Sequence, residues 1–215
     1  MSNIWFCGVP GSKWSGVDIQ LRRVLPCDKT DETPERVFYH AMNTPGRQDN
    51  GHRGSYWGPG MGCGENWTDF QKLGKEQIVK DINEVFTGDG YRIIKSHFFA
   101  RQFNLQFLWD NFKDDYMILL YRESQASFAW WCNVMDFGED HWPDYSRGYT
   151  DYNMMRTKIY EENNKILDFG IKKGLQFFQW NPNTSLTMIE GFKPEVAAEL
   201  TKWPDDIYMA VTKIT

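Results

Sequence analysis

Three short apolar runs stand out in the hydrophobic pattern of the chain, and each ends abruptly in a glycine-rich turn or a cation. A short apolar run between turn signals is typical of a strand buried on both faces of a parallel sheet. In such sheets the carboxyl ends of the strands share the edge at which ligands bind. The pattern therefore predicts a site for an anion, such as a nucleotide with several phosphate-like groups. The runs are residues 3–7 before the turn 8–13, residues 91–94 before Lys95, Ser96 and His97, and residues 116–121 before Arg122.

Apolar residues at helical spacing separate these runs along the chain. Strands that alternate with helices predict one α/β domain over 1–215, with a mostly parallel sheet and helices on both faces. Residues 36–42 are read as a strand or a short helix. The remaining expectations are helices from about 15 to 25, 74–86, 100–112, 123–134 and 151–173, and short strands at 175–180, 185–189 and 207–214.

Residues 51–64 contain six glycines in fourteen positions. Glycine at this density costs too much backbone entropy for a regular element, so we expect an ordered loop that acts as a lid or binding loop. Tyr56 and Trp57 lie within it, and aromatic rings stack on apolar or sugar-like ligand faces. The two residues are therefore predicted to bind an acceptor, with a surface loop of no function as the alternative.

Composition narrows the classes of function. At 215 residues the chain can bury a sizeable core without disulfide support, and Cys7, Cys27, Cys63 and Cys132 lack metal-type spacing. A net charge of −5 argues against a general nucleic-acid or anionic-membrane surface. No apolar run is long enough to span a bilayer, and no signal-peptide pattern opens the chain. We expect a cytoplasmic protein with free thiols, and nothing in the sequence indicates its oligomeric state.

The turn after the first run is similar to a phosphate-binding loop. Such loops hold phosphate with successive backbone N–H groups and the positive end of the following helix. The nucleotide-triphosphate motif would place lysine at position 14 and a hydroxyl at 15. This chain has Trp14 there, with the lysine one position earlier as Lys13, and only Ser15 fits. An ordinary strand-to-helix turn is the alternative interpretation.

Together, the three segments resemble the cytosolic sulfotransferases, which use 3′-phosphoadenosine 5′-phosphosulfate (PAPS) as donor. Residues 92–97, Arg-Ile-Ile-Lys-Ser-His, match a family strand that resembles Arg-Ile-Ile-Lys-Thr-His. Arg122 matches the arginine that ends a later family strand, and Pro10 and Ser12 match the family's phosphosulfate loop. The chain departs from the pattern at Gly11, where the family has lysine, and at Trp130, where it has serine. The resemblance spans residues 3–135 and implies a three-layer P-loop-type fold.

The resemblance implies transfer of a sulfuryl group from PAPS to a hydroxyl or amine, with PAP (3′,5′-ADP) as product. His97 would be the general base, because a pKa near 6.5 suits proton transfer at neutral pH. Lys95 and Lys13 would stabilise the leaving phosphate or sulfuryl oxygens, and no metal is expected. Trp14 would stack on adenine or acceptor. The expected donor-binding residues are Pro10, Gly11, Ser12, Lys13, Trp14, Ser15 and Arg122, with Ser127 (or Ser124) in place of the family serine.

Two other functions remain open. A P-loop kinase of small molecules would share the fold, although position 14 lacks the lysine and no magnesium carboxylate ends a strand. An inactive nucleotide-binding relative would keep the fold without transfer. The expected partner is a small-molecule or saccharide acceptor, with no nucleic acid and no membrane. His40, His52 and His141 have no supporting context, and Phe128, Trp130 and Trp131 are interpreted as core more than as an adenine platform.

Overall fold

The apolar run at the start of the chain forms strand β1 (Asn3–Cys7), in which Ile4, Trp5 and Phe6 have no solvent exposure. β1 pairs in parallel with β6 (Arg92–Lys95) on one side and with β7 (Tyr116–Arg122) on the other. The three runs predicted as buried strands are therefore neighbours, and their carboxyl ends share one edge of the sheet.

The computed structural model describes residues 2–36, 38–39, 51–59, 61–101, 103–134, 152–181, 185–197 and 206–215. Besides β1, β6 and β7, the strands in these ranges are β2 (Phe38–Tyr39), β3 (Gly51–His52), β4 (Tyr56–Trp57), β5 (Gly62–Cys63), β8 (Phe178–Gln179) and β9 (Ile207–Lys213). The α-helices are α1 (Trp14–Val24), α2 (Phe70–Leu73), α3 (Lys75–Val85), α4 (Asn104–Asn111), α5 (Ser124–Val134), α6 (Tyr152–Lys172) and α7 (Pro194–Ala197), and Pro34–Arg36 and His97–Ala100 are 3₁₀ helices.

Within the described ranges, the main sheet has seven strands in the order β5-β4-β6-β1-β7-β9-β8. The pairs that join β5, β4, β6, β1 and β7 are parallel, whereas β9 is antiparallel to both β7 and β8. β2 and β3 form a separate antiparallel pair. The predicted α/β class with a mostly parallel sheet is confirmed. β4, β5 and β6 lie on one side of β1, and β7, which follows them along the chain, lies on the other side. The strand order therefore reverses at β1, which makes the edge beside β1 a topological switch point.

Most predicted helices form close to their expected bounds, as α1, α3, α5 and α6 show. The helix expected over 100–112 is divided into a 3₁₀ helix, His97–Ala100, and α4. The Ser96 hydroxyl accepts a hydrogen bond from the backbone N–H of Phe98 and so caps the 3₁₀ helix. The extended backbone of Arg101 then separates the two helices. This short 3₁₀ helix keeps His97 next to the end of β6.

The expectation that residues 51–64 form an irregular loop is wrong. This segment contributes β3, β4 and β5, and β4 pairs in parallel with β5 and with β6. Positive φ angles at Gly54, Gly58 and Gly62 allow tight turns between strands of only two residues. Gly58 is required, because a Cβ there would overlap the ring of Phe98. Glycine here serves close packing at the side of the sheet and not a lid.

Two other predictions differ from the structure. In residues 185–189 Ser185 is helical and the other four form turns and bends, so the predicted strand is absent. Of residues 36–42, Phe38 and Tyr39 form β2, whereas 37 and 40–42 lie outside the described residues. In the parts of the chain that the structure describes, no helix combines the length and the apolar character needed to cross a membrane.

Candidate functional site

The turn that joins β1 to α1 is tight and has an unusual backbone geometry. Gly11 and Lys13 are left-handed, with φ angles of 77° and 61°. Glycine is required at 11, because a Cβ there would overlap the carbonyl of Ser127. The N–H and hydroxyl groups of Ser12 both donate to the carbonyl of Val9, over 3.1 and 2.7 Å. Left-handed residues in a tight turn before a helix form concavities lined by backbone N–H groups, which bind anions.

Lys13 lies where this turn meets α5. Its Nζ atom is 4.2 Å from the centre of the Trp130 ring. Burial lowers the pKa of Lys13, and the positive charge of Arg122 lowers it further. Asp206 acts in the opposite direction and more weakly than Arg122. Burial is therefore the main reason that the neutral form of Lys13 is favoured, and an anion bound nearby would favour the charged form.

Arg122, the last residue of β7, is 7% exposed and connects three segments. Its Nε donates to the Asp206 carboxylate over 2.8 Å, and its Nη1 donates to the carbonyl of Gly11 over 2.9 Å. The hydroxyl of Ser127 and the side-chain amide of Asn163 donate to the Arg122 carbonyl, over 3.3 and 2.8 Å. The planar guanidinium can donate hydrogen bonds in two directions at once. It thereby fixes the turn after β1 against the end of β7.

Most of the residues predicted to bind the donor lie together at this edge of the sheet. Ser12 and Ser127 are the members whose predicted roles need correction. Ser12 has no solvent exposure, and its N–H and hydroxyl groups both donate to the Val9 carbonyl, so it shapes the turn instead of facing a ligand. Ser127 has no solvent exposure either, and its hydroxyl donates to the Arg122 carbonyl, so it supports the arginine. The Ser124 hydroxyl accepts from Asn163 over 3.0 Å. The residues brought together are Pro10, Gly11, Ser12, Lys13, Ser15, Arg122 and Ser127.

His97 lies beside the same turn but is only 2% exposed. Its Nδ1 is 2.5 Å from the carbonyl oxygen of Gly8. A carbonyl can only accept, so Nδ1 carries the proton and Nε2 is the basic nitrogen. Burial lowers the pKa of His97 to about 3, the bond to Gly8 opposes the shift, and Arg101 adds to it. His97 is therefore neutral near pH 7, in a tautomer that suits a general base.

Trp14 is part of the core and not a platform for a ligand. It is 3% exposed. Its ring centre is 4.0 Å from that of His97, 4.7 Å from that of Tyr56 and 5.9 Å from that of Phe6. An indole enclosed by three rings has no open face for adenine or an acceptor. The predicted stacking role of Trp14 is therefore corrected to support of His97.

Lys95 ends β6 and has no solvent exposure. Its ammonium donates to the carboxylate of Asp18 and to the carbonyl of Arg53. Burial lowers the pKa of Lys95, and Asp18 opposes that change. Asp18 also accepts from Arg22 Nε over 3.0 Å, so a second cation belongs to the same buried network. Because Asp18 already balances the charge of Lys95, the predicted role in stabilising a leaving phosphate does not agree with these contacts.

Tyr56 and Trp57 are 6% and 1% exposed, so their predicted role in binding an acceptor also needs correction. The Trp57 ring stacks on Trp67 with 4.5 Å between centres. The Tyr56 ring is 4.7 Å from Trp14 and 5.9 Å from His97. The segment lies next to His97, but its rings pack inward because β4 belongs to the sheet.

Glu162 and Asn163 on α6 are neighbours of the site that no motif indicates. Glu162 is 2% exposed and accepts from Arg101 Nε over 3.1 Å. Burial raises the pKa of Cys7, at the end of β1, and the negative charge of Glu162 raises it further. Asn163 has no exposure and donates to the Arg122 carbonyl over 2.8 Å. These two consecutive residues therefore approach the ends of both β1 and β7.

The sequence does contain a signal for this pair. Ile159 and Ile166 lie on the buried side of α6, and positions 162 and 163 fall between them at helical spacing. Polar residues that interrupt an apolar stripe are candidates for buried hydrogen bonds. Asp206 has no comparable signal, because it follows a segment without periodicity.

Other candidate ligands form no second site within the part of the chain that the structure describes. Among the described residues, no three His, Cys, Asp or Glu side chains are grouped so as to hold a metal ion. His52 belongs to β3, and His40 and His141 lie outside the described residues. The free thiols are Cys7, Cys27, Cys63 and Cys132.

Comparison with known proteins adds no further assignment. No protein-family model matches the chain, and no curated protein or solved structure matches it either. The candidate function therefore depends on the residues and contacts around the turn after β1.

Proposed function

We propose that this chain is a PAPS-dependent sulfotransferase that transfers a sulfuryl group to a hydroxyl or amine of a small-molecule or saccharide acceptor. The observation that carries the proposal is the approach of Lys13 and Arg122 beside the turn that contains Gly11. Arg122 lowers the pKa of Lys13 more strongly than Asp206 raises it. A ligand with phosphate groups would relieve this repulsion and accept hydrogen bonds from both cations.

The arrangement of strands supports the same proposal. β1 lies between β6 and β7, and a turn with two left-handed residues leads from β1 directly into α1. This is the order expected of a three-layer P-loop-type fold. The motif at residues 92–97 and the arginine at 122 then end the two strands that flank β1.

In the proposed reaction the turn and the two cations hold the donor. Backbone N–H groups of the turn and Lys13 bind the phosphosulfate, and Arg122 binds the 3′-phosphate. The acceptor oxygen or nitrogen forms a bond to sulfur while the bond between sulfur and the bridging phosphate oxygen breaks. That oxygen leaves with the electron pair on the phosphate of 3′,5′-ADP. Nε2 of His97 takes the acceptor proton.

Donor binding has a second effect on His97. Burial lowers the pKa of this histidine to about 3, so His97 is a weak base in the structure described here. The Gly8 carbonyl that binds its Nδ1 belongs to the turn that would hold the donor. Negative charge at the turn favours the protonated ring and raises the pKa of His97. We therefore propose that the donor itself makes His97 a stronger base.

A nucleotide-binding protein without transfer activity is the second candidate. Two observations favour it. Asp18 neutralises Lys95, which is then not available to a leaving phosphate, and His97 is only 2% exposed, which limits its access to an acceptor. Both functions would require donor-product binding at the same turn, so binding alone does not separate them. Turnover of labelled donor does.

The first experiment measures thermal unfolding with 3′,5′-ADP, with 5′-AMP and with ATP-Mg. A ligand at about a hundred times its Kd adds about 2.7 kcal/mol to native-state stability, which for a chain of this size raises Tm by about 5–10 °C. We expect the largest rise with 3′,5′-ADP. A larger rise with ATP-Mg would favour a kinase instead.

A variant pair then locates the site. Lys13→Ala should reduce the rise in Tm produced by 3′,5′-ADP, whereas Lys72→Ala should not. Lys72 is a matched control because its side chain is 86% exposed and is paired with Asp69 on another part of the surface. Transfer of labelled sulfate from PAPS to a panel of alcohols, phenols, amines and saccharides completes the test. Binding without transfer to any acceptor class would favour the inactive relative.

A further inference from the structure

Trp130 occupies an unusual position for a tryptophan on a helix with an apolar buried side. It is half-buried, whereas the adjacent Trp131 is 7% exposed and belongs to the core. The ring of Trp130 lies under the ammonium of Lys13, with 4.2 Å between Nζ and the ring centre. Trp130 therefore packs against the core with part of its ring and leaves the rest of the ring exposed.

Two features meet at this point, the indole of Trp130 and the ammonium of Lys13, and Arg122 is near enough to Lys13 to lower its pKa. Arg122 is held by Asp206 and by the Gly11 carbonyl, so its position is fixed. Lys13 starts from a left-handed backbone at the N-terminus of α1, and its side chain reaches across to α5. An aromatic face therefore adjoins the Lys13 ammonium beside the turn after β1.

An arriving anion competes with the indole for Lys13. A charge-assisted hydrogen bond between an ammonium and a phosphate is stronger than a cation–π contact at a half-exposed site. Lys13 should therefore leave the ring and pair with the anion. This movement uncovers the face of Trp130 next to the position of the anion.

We infer that Trp130 selects anions that carry a ring: once Lys13 turns to the phosphate, the exposed indole stacks on the ring attached to that phosphate. The ligand class is a planar aromatic or nucleoside phosphate, as opposed to a bare inorganic anion. The inference rests on the proposed function for the position of the phosphate. It adds a residue that distinguishes one class of phosphate ligand from another.

If Lys13 leaves the Trp130 ring to bind the phosphate, removal of the ring should change the affinities for bare anions and for ring-bearing phosphates in opposite directions. In Trp130→Ser, Lys13 no longer has to leave a ring, so inorganic pyrophosphate should bind about twofold to fivefold more tightly. Phenyl phosphate and 3′,5′-ADP lose their stacking partner, so they should bind about tenfold more weakly. A general loss of structure would weaken the binding of all three ligands.

The experiment is isothermal titration calorimetry of the full chain with inorganic pyrophosphate, phenyl phosphate and 3′,5′-ADP. Trp130→Phe keeps a ring and should retain the wild-type order of affinities. Trp109→Ser is the matched control, because Nζ of Lys173, just after α6, lies 5.0 Å from the ring of Trp109 on α4. This control should bind all three ligands as the wild type does. Melting temperatures measured in parallel identify any variant that has lost its fold.

The outcomes separate this inference from the proposed function. If wild type binds 3′,5′-ADP and Trp130→Ser changes all ligands equally or changes none, the inference is wrong and the proposed function stands. If wild type binds phenyl phosphate but not 3′,5′-ADP, and Trp130→Ser shows the opposite effects, the inference stands and the proposed function is wrong. A wild type that binds none of the three ligands overturns both.

Discussion

Arg122 donates from Nη1 to the carbonyl of Gly11 over 2.9 Å, so the end of β7 is joined to the turn after β1. A guanidinium has five N–H donors, and the contacts of Arg122 with described residues use Nε and Nη1. Nη2 is then the group with which Arg122 would bind the 3′-phosphate in the proposed function. One residue would both shape the turn and contact the donor.

Arg122→Ala should weaken the binding of 3′,5′-ADP about tenfold or more, because a charge-assisted bond to phosphate is lost. The binding of 5′-AMP, which lacks the 3′-phosphate, should weaken much less. Loss of the bonds to Gly11 and Asp206 should also lower the free energy of unfolding by about 1–3 kcal/mol. Calorimetric titration with both nucleotides is the measurement. Equal losses for the two nucleotides would show that Arg122 does not contact the 3′-phosphate.

His97→Gln should lower the rate of sulfuryl transfer by about 10²–10⁴-fold at saturating donor, because a general base contributes that much. The affinity for 3′,5′-ADP should be nearly unchanged, since the base acts on the acceptor proton. Single-turnover assays with labelled PAPS, together with nucleotide titration, test both parts. Retention of more than about a tenth of the wild-type rate would contradict the assignment of His97 as base.

Acid should destabilise the fold through His97. Its pKa is about 3 in the folded protein, below its usual value near 6.5 in an unfolded chain, so the unfolded state binds more protons between these values. Stability is therefore complete above about pH 6.5 and falls as pH decreases toward 3, by up to about 1.4 kcal/mol per pH unit from this group. Urea unfolding of wild type and His97→Gln at several pH values measures the difference. Parallel pH profiles for the two proteins would rule out this contribution.

Asp18 forms ion pairs with two cations, Lys95 and Arg22. Loss of the Asp18 carboxylate should therefore lower the free energy of unfolding more than loss of the Lys95 ammonium. Asp18→Asn leaves Lys95 buried without its carboxylate, so the free energy of unfolding should fall by about 3–5 kcal/mol. Lys95→Met leaves Asp18 paired with Arg22, so the loss should be smaller, about 1–3 kcal/mol. Chemical denaturation of both variants compares the two losses. A larger loss for Lys95→Met would contradict this account of the network.

The strands around β1 could be predicted from the sequence because their apolar runs are short, continuous and ended by turns. The same reasoning brings Lys13, Arg122 and His97 to one edge. The apolar pattern does not predict which residues pair with the buried charges. Lys95 ends β6 as expected, but its ammonium is bound by Asp18, which lies far away in the sequence.

The glycine-rich segment shows a different limit. Glycine density signals conformational freedom, yet here the positive φ angles at Gly54 and Gly58 allow β4 to join the sheet. Tyr56 and Trp57 then become core residues. A local pattern cannot distinguish a flexible loop from tight turns between very short strands, because the difference depends on pairing with β6.

The consecutive pair Glu162 and Asn163 determines how α6 can sit on the sheet. A shift of one residue along an α-helix turns each side chain by about 100°, which would carry the Asn163 amide away from the Arg122 carbonyl and the Glu162 carboxylate away from Arg101. An inserted or deleted residue between Met155 and Glu162 would therefore separate the helix from the end of β7 and from Arg101 at once. The mid-section of α6 should tolerate changes of side chain on its exposed face far better than any change in its length.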